Sequence, residues 1–148
     1  MRKRAGLRPT QSLVKNALFN LLGELEGLSF WDLFAGTGQI GLEAERRGAK
    51  VTFVERHRRR ADEIRKKTKG RVYAEDALRF LKRTKEKAHV IFADPPYDYG
   101  QYEKLIKLAL EKLEEGGAFI LEHDKRKSFG APEERRYGDT VLSIWVRE

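Results

Sequence analysis

The sequence predicts an α/β domain: a mostly parallel seven-stranded sheet, helices on both faces, and an antiparallel hairpin at its C-terminal end. Three observations predict it. Short apolar, β-rich runs alternate with helical patterns from residue 10 to residue 121, which implies right-handed crossovers and a sheet covered on both faces. A glycine-rich turn, Gly36-Thr37-Gly38-Gln39-Ile40-Gly41, leads from a strand into a helix, as G-x-G-x-x-G turns do where a ligand's backbone comes close. After Pro132 the pattern changes to two strand-like runs around Gly138-Asp139, the signature of a hairpin.

Residues 1–9 form a basic N-terminal tail ending in Arg8-Pro9-Thr10, and 10–148 a single domain. Thr10 or Ser12 can cap a helix whose apolar stripe is Val14, Ala17, Leu18, Leu21, Leu22 and Leu25, closed by Gly27. The first strand is 30–34, and the helix after the glycine turn stops at Gly48. Lys50 to Glu55 is the second strand. Arg58 to Lys69 is a helix whose buried side is marked only by Ala61 and Ile64. Arg71 to Ala74 makes the third strand, and Asp76 starts a short helix carrying Leu78, Phe80 and Leu81. His89 to Ala93 is the fourth strand, buried because it is short, β-branched and aromatic. Tyr102 to Leu113 is amphipathic, and Gly116-Gly117 turns it into the fifth strand, 118–121. The hairpin pairs 133–137 with 141–146. Trp31 and Trp145 sit in strands and read as core.

A chain of 148 residues with no run able to span a bilayer and no apolar leader is expected to be a cytoplasmic protein with a real core. Cysteine is absent, which excludes disulfides, iron–sulfur ligation and thiolate nucleophiles. His57, His89 and His123 lie on different elements without ligand spacing, so no metal is expected. His123, just after the fifth strand with Glu122, is a candidate residue near the site. The net charge is +8 and unevenly placed. Nine Arg or Lys stand against Asp62 and Glu63 between Arg56 and Arg71, and residues 1–23 carry five cations and no acid. Two basic segments on a mildly acidic body point to a polyanion, nucleic acid before membrane.

The chemistry concentrates at Asp94-Pro95-Pro96-Tyr97. Each proline fixes φ and removes a backbone donor, leaving a stiff corner of acceptors beside an exposed aromatic. Such a corner can hold a planar ring by stacking while accepting hydrogen bonds from its amino group. The glycine turn, with Glu55 closing the next strand, fits a ribose-bearing ligand and is shared with NAD-binding oxidoreductases. Asp32, just before the turn, would repel a pyrophosphate but suits an ammonium group, as in S-adenosylmethionine. Asp76 can accept from an adenine amino group or serve as a plain helix N-cap.

In this order, Asp32-Leu-Phe-Ala-Gly-Thr-Gly38, Phe53-Val-Glu55, Glu75-Asp76-Ala77 and Asp94-Pro-Pro-Tyr97 resemble a Rossmann-like class I S-adenosylmethionine-dependent methyltransferase. Leu7-Arg-Pro-Thr10, Ala17-Leu-Phe-Asn20, Gly41-Leu-Glu-Ala44, Leu121-Glu-His123 and Tyr137-Gly-Asp139 more closely resemble the RsmD family, which methylates the N2 amino group of a guanine in bacterial 16S rRNA. The resemblance implies that Asp32, Phe34, Gly36 and Gly38 line the methionine part of S-adenosylmethionine. Glu55 and Arg56 would take the ribose side and Asp76 with Ala77 the adenine, while Asp94, Pro95, Pro96 and Tyr97 hold the base, Asp94 also bordering the cofactor. It also implies RNA contacts at Arg8, Thr10, Arg58, Arg59 and Tyr137, with 16S rRNA in a partly assembled small subunit as partner. The family carries more sequence ahead of its Arg-Pro-Thr than the seven residues here. Adenine-N6 methylation of DNA or RNA remains an alternative, although that chemistry more often has Asn before the prolines. A catalytically silent RNA-binding module is another.

Overall fold

The computed structural model describes residues 2–148, with side chains from Gln11 onward. The helices are α1 (Arg2–Leu22), α2 (Gln39–Arg46), α3 (Arg58–Arg65), α4 (Ala77–Arg83) and α5 (Tyr102–Glu111). The strands are β1 (Ser29–Leu33), β2 (Lys50–Val54), β3 (Arg71–Tyr73), β4 (Ala88–Ala93), β5 (Leu113–Asp124), β6 (Glu133–Tyr137) and β7 (Thr140–Val146). They form one sheet in the order β3-β2-β1-β4-β5-β7-β6. β1 to β5 pair in parallel, and β7 pairs antiparallel with both β5 and β6. The predicted parallel sheet with a terminal hairpin is therefore the observed one.

Strand alternation sorts the core into two layers. Trp31, Leu33, Ile91, Phe119 and Leu121 face α4 and α5, where Leu81 and Leu105 meet them. Phe30, Phe53, Phe92 and Ile120 face the other way, covered by Leu18, Ala44 and Ile64 of α1, α2 and α3. Strands this apolar on both faces are what parallel pairing requires. The α3 helix is held by Ala61 and Ile64 alone, both fully buried, as its sequence predicted.

Several boundaries move. The backbone of α1 is helical from Arg2, not from a cap at Thr10 or Ser12; Arg, Lys, Ala and Leu are good helix formers, and a capping residue is a preference rather than a stop. Gly23, at φ 68°, ends α1 in place of Gly27, and Phe19 joins Leu18 in the buried stripe. Gly27 instead donates to the Gly48 carbonyl at 2.9 Å, tying the entry of β1 to that of β2. The α3 helix stops at Arg65 because Glu45 draws the following residues away, accepting from the Thr68 hydroxyl at 2.8 Å and from Lys69 N at 3.0 Å. Gly116-Gly117 lies inside β5 as a bulge, marked by the register shift between Ala88 and Val90. Trp31 is core, whereas Trp145 is half-buried and stacks on Phe119 at 5.4 Å. Among the described residues no helix is long and apolar enough to cross a membrane.

Candidate active site

Parallel strands deliver their C-terminal ends to one edge, and acids arrive there together. Asp32 lies on the sheet face that carries Phe30; alternation continued past β4 and along β5 puts Asp94 and Glu122 on that face as well. Because Ala93 pairs with Leu121, the two later acids are neighbours across adjacent strands.

A cavity of about 720 Å³ opens beyond these ends. Of the residues the sequence assigned, Phe34, Gly36, Glu55, Arg56, Asp76, Ala77, Asp94 and Pro96 line it. Asp32 and Gly38 do not; they build its floor. The Asp32 carboxylate, 1% exposed, accepts from Gly41 N at 2.9 Å and so pins the start of α2 beneath the turn. Gly41 has no room for a side chain, since a Cβ there would stand 2.3 Å from the Phe53 ring. Gly36 and Gly38 adopt φ 61° and 84°, open to glycine at no steric cost. Phe34 adopts φ 58° without that freedom, a strained residue where β1 gives way to the site.

Glu55 is buried and doubly engaged: Oε1 accepts from Gly36 N at 2.7 Å and Oε2 from His57 N at 2.9 Å. Each oxygen keeps a lone pair, so two adjacent hydroxyls can still donate to it. Asp76 is the N-cap of α4, accepting from Arg79 N at 3.2 Å, and also lines the cavity, so the two readings of it coexist.

Pro95 is buried behind the corner, while Pro96 and Tyr97 are exposed. The Pro96 carbonyl accepts from Tyr99 N at 2.9 Å, a turn bond rather than a strand-ladder one. At this turn Asp94 and Pro96 line the cavity, and Pro95 does not. Tyr97 stands outside the cavity, 58% exposed. Arg58 and Arg59 are exposed in the first turn of α3, and Tyr137 packs half-buried against the α1 side of the core, none of them in the cavity wall. The side chains of Arg8 and Thr10 lie outside the described residues.

Electrostatics separate these acids. Burial pushes the Asp32 carboxyl well above its usual range, opposed by the Gly41 hydrogen bond and reinforced by the charges of Asp94 and Glu55. Asp94 opens to solvent on one side, yet protein crowds it on the others, and this loss of hydration raises it to about 6. Glu122, half-buried, is pushed up to about 8 by desolvation and then by the charge of Asp94. The two therefore titrate as a pair. His123 belongs to the core: Nδ1 meets the Asp124 carbonyl at 2.9 Å, which fixes the proton there, and Nε2 meets the Ser143 hydroxyl at 2.7 Å.

Sequence reasoning missed Arg60, Tyr99 and Gln101 in the wall and the charge coupling of Glu122 to Asp94. Arg60 belongs to the basic run that begins at Arg56, a signal that was present. Tyr99 carried none. Its ring packs edge-on to Phe34 at 5.1 Å and Tyr102 at 5.3 Å, and its buried hydroxyl has no partner among the described residues. Burial, then the charges of Asp76 and Tyr102, hold that phenol at about 12, so it stays a donor.

The wall thus offers an unpaired hydroxyl, a glycine cradle, a carboxylate with spare lone pairs for a diol, and further acids beside the cations Arg56 and Arg60. This donor set fits a nucleoside such as S-adenosylmethionine.

Residues 1–146 match the sequence family described as conserved hypothetical protein 95. Ribosomal RNA small subunit methyltransferase D of Haemophilus influenzae is 34% identical over 142 residues, which span 86% of this chain and 74% of that one. A hypothetical protein of Thermus thermophilus, TTHA0928, superposes with a TM-score of 0.82 at 29% identity, covering 93% of this chain and 86% of that one. The fold is also that of the Thermus thermophilus 16S rRNA N2 G1207 methyltransferase RsmC, solved with AdoMet and guanosine: TM-score 0.76, 22% identity, covering 95% of this chain and 43% of that one.

Proposed function

This chain belongs to the RsmD family, described as conserved hypothetical protein 95, within the class I S-adenosylmethionine-dependent methyltransferases, and we propose that it methylates the N2 amino group of a guanine in 16S rRNA. The observation that carries the reading is the contrast among the acids. Asp32 and Glu55 are engaged by backbone N–H groups, whereas Asp94, next to the stiff prolines, faces the cavity with no such donor among the described residues.

S-adenosylmethionine, when bound, supplies a methyl group on a sulfonium, an electrophile that needs no acid to activate it. The chain's own work is placement. Glu55 receives the ribose hydroxyls; Asp76 and Ala77 border the adenine, with Tyr99 a further donor. Guanine N2 is a poor nucleophile because its lone pair is delocalised into the ring. Asp94 and the Pro95 carbonyl accept its two hydrogens, favouring a tetrahedral nitrogen and stabilising its developing positive charge. Tyr97 stacks on the flipped-out base, worth on the order of 1–3 kcal/mol. Most of the rate comes from alignment. Asp94, charged at neutral pH and titrating at about 6, takes the proton once the nitrogen is methylated.

The basic surface reads phosphates rather than sequence, so target choice falls to the structured ribonucleoprotein, and a partly assembled small subunit should be a better substrate than free rRNA. The decisive experiment supplies labelled cofactor to small subunits from cells lacking the gene and maps the modified nucleotide by mass spectrometry. Label in N2-methylguanine of 16S rRNA is expected; label in N6-methyladenine would overturn the assignment.

A further inference from the structure

Tyr97 is the most exposed large hydrophobic side chain among the described residues, at 58%, and it does not stand alone. Lys127 Nζ lies 4.6 Å from its ring centroid and Arg126 Cζ lies 5.2 Å from it. Both cations come from the loop between β5 and β6, so two separate segments converge on one ring at the rim of the cavity. Desolvated cation–π contacts are attractive, but at an exposed ring they are weak, and they do not by themselves account for a loop built to deliver charge here.

The loop is built firmly. The Asp124 carboxylate accepts from Arg126 N and Nε, both at 2.9 Å, and the Asp124 carbonyl accepts from Lys127 N at 3.0 Å. Arg126 holds Asp124 down at about 2, so this turn keeps its charge pairing at any ordinary pH. Farther along, Phe129 is anchored edge-on to His123 at 4.9 Å and against Tyr102 at 4.6 Å. Lys125 pairs with Asp139 at 2.9 Å and Arg126 with Asp124. Lys127 has no carboxylate within ion-pair distance among the described residues, and its ammonium lies over the rings of Tyr97 and Tyr102.

Beside Tyr97 charge changes sign across a short span: the Asp94 carboxylate borders the cavity, whose wall also holds Arg56 and Arg60, and the cations Lys127 and Arg126 stand outside it over the ring. A nucleotide entering base first meets the matching arrangement, since its base is neutral and its phosphate anionic. We propose that Lys127, assisted by Arg126, is a phosphate-binding rim that holds the RNA backbone flanking the flipped nucleotide while the base stacks on Tyr97. The proposal rests on the reading of this chain as an RNA-base methyltransferase and adds a backbone contact distinct from the basic segments at 1–23 and 56–71. As the base arrives, the cations exchange the ring for a charge-assisted bond to phosphate, the stronger partner.

The test is the salt dependence of 16S rRNA binding by the full chain. Each lost phosphate contact should flatten the slope of log K against log salt by about 0.7–0.9. Lys127→Gln should show that loss, Arg126→Gln with Lys127→Gln a larger one, and Lys127→Arg should restore the wild-type slope. Lys107→Gln, on the exposed side of α5, controls for net charge. S-adenosylmethionine affinity and melting temperature should stay at wild-type values throughout. A double variant with the wild-type slope overturns the rim alone. A wild-type protein whose rRNA binding shows no salt slope overturns the RNA reading and the rim with it.

Discussion

The ends of β1 and β4 hold the same residue type on the same face of neighbouring strands, and the two do opposite things. Asp32 is sealed under α2 and satisfied by the Gly41 N–H. Asp94 sits two register positions beyond the partner of Asp32, past the strand end, where prolines remove the backbone donors that would otherwise satisfy it. One carboxylate is used up in making the turn; the other is left free for a ligand. An acid in a cofactor fold thus declares its role by what already hydrogen-bonds to it, more than by its place in a motif.

That contrast can be broken experimentally. Asp94→Ala should lower turnover by about 10²–10³-fold, the scale for losing one preorganised electrostatic partner, while the protein still binds cofactor and, at neutral pH, keeps or raises its melting temperature, because burial disfavours the charged carboxylate. Asp32→Ala should do the reverse in stability, costing about 1–3 kcal/mol in a urea melt by leaving a buried N–H unpaired. A stable Asp32→Ala protein would erase the distinction. Gly41→Ala probes the same turn from the other side. Its Cβ would lie 2.3 Å from Phe53, and overpacking of that kind costs about 1–3 kcal/mol. Tyr97→Ala should weaken RNA binding by about 1–3 kcal/mol, read in the KM for RNA with no change in that for the cofactor.

The smallest effect is on pH. Methyl transfer should decline as pH falls through about 6, where Asp94 becomes protonated. Stability runs the opposite way. Asp94 and Glu122 have folded-state values raised to about 6 and about 8, so between their ordinary carboxylate range and pH 8 the folded chain binds more protons than the unfolded one. Stability should therefore fall as pH rises through that window. Glu122→Gln should flatten the upper part of a denaturation-midpoint series from pH 5 to 9; an unchanged profile would remove Glu122 from the pair.

Much of the fold was legible because its signals are local. Turn glycines, β-branched runs and the Asp76 cap each act within a few residues, and the α3 stripe of Ala61 and Ile64 was readable even in a helix of cations. The N-terminal start of α1 and the C-terminal end of α3 were not, because the first depends on weak propensities and the second on Glu45, more than twenty residues away. The site divides the same way. Glu55, Asp76 and Asp94 announced themselves in motifs, whereas Tyr99 and Lys127 matter through neighbours that only folding supplies.

By itself, then, the sequence determined the parallel sheet, its terminal hairpin, the glycine turn and the acid–proline corner, since each is encoded by backbone preference and short-range periodicity. Only the tertiary structure decided which acids are consumed by backbone N–H groups, which pair raises its own proton affinity, and which cations reach Tyr97. Hydration, Coulomb interaction and ring contact act through space, and residues far apart in the chain meet only when the strands align.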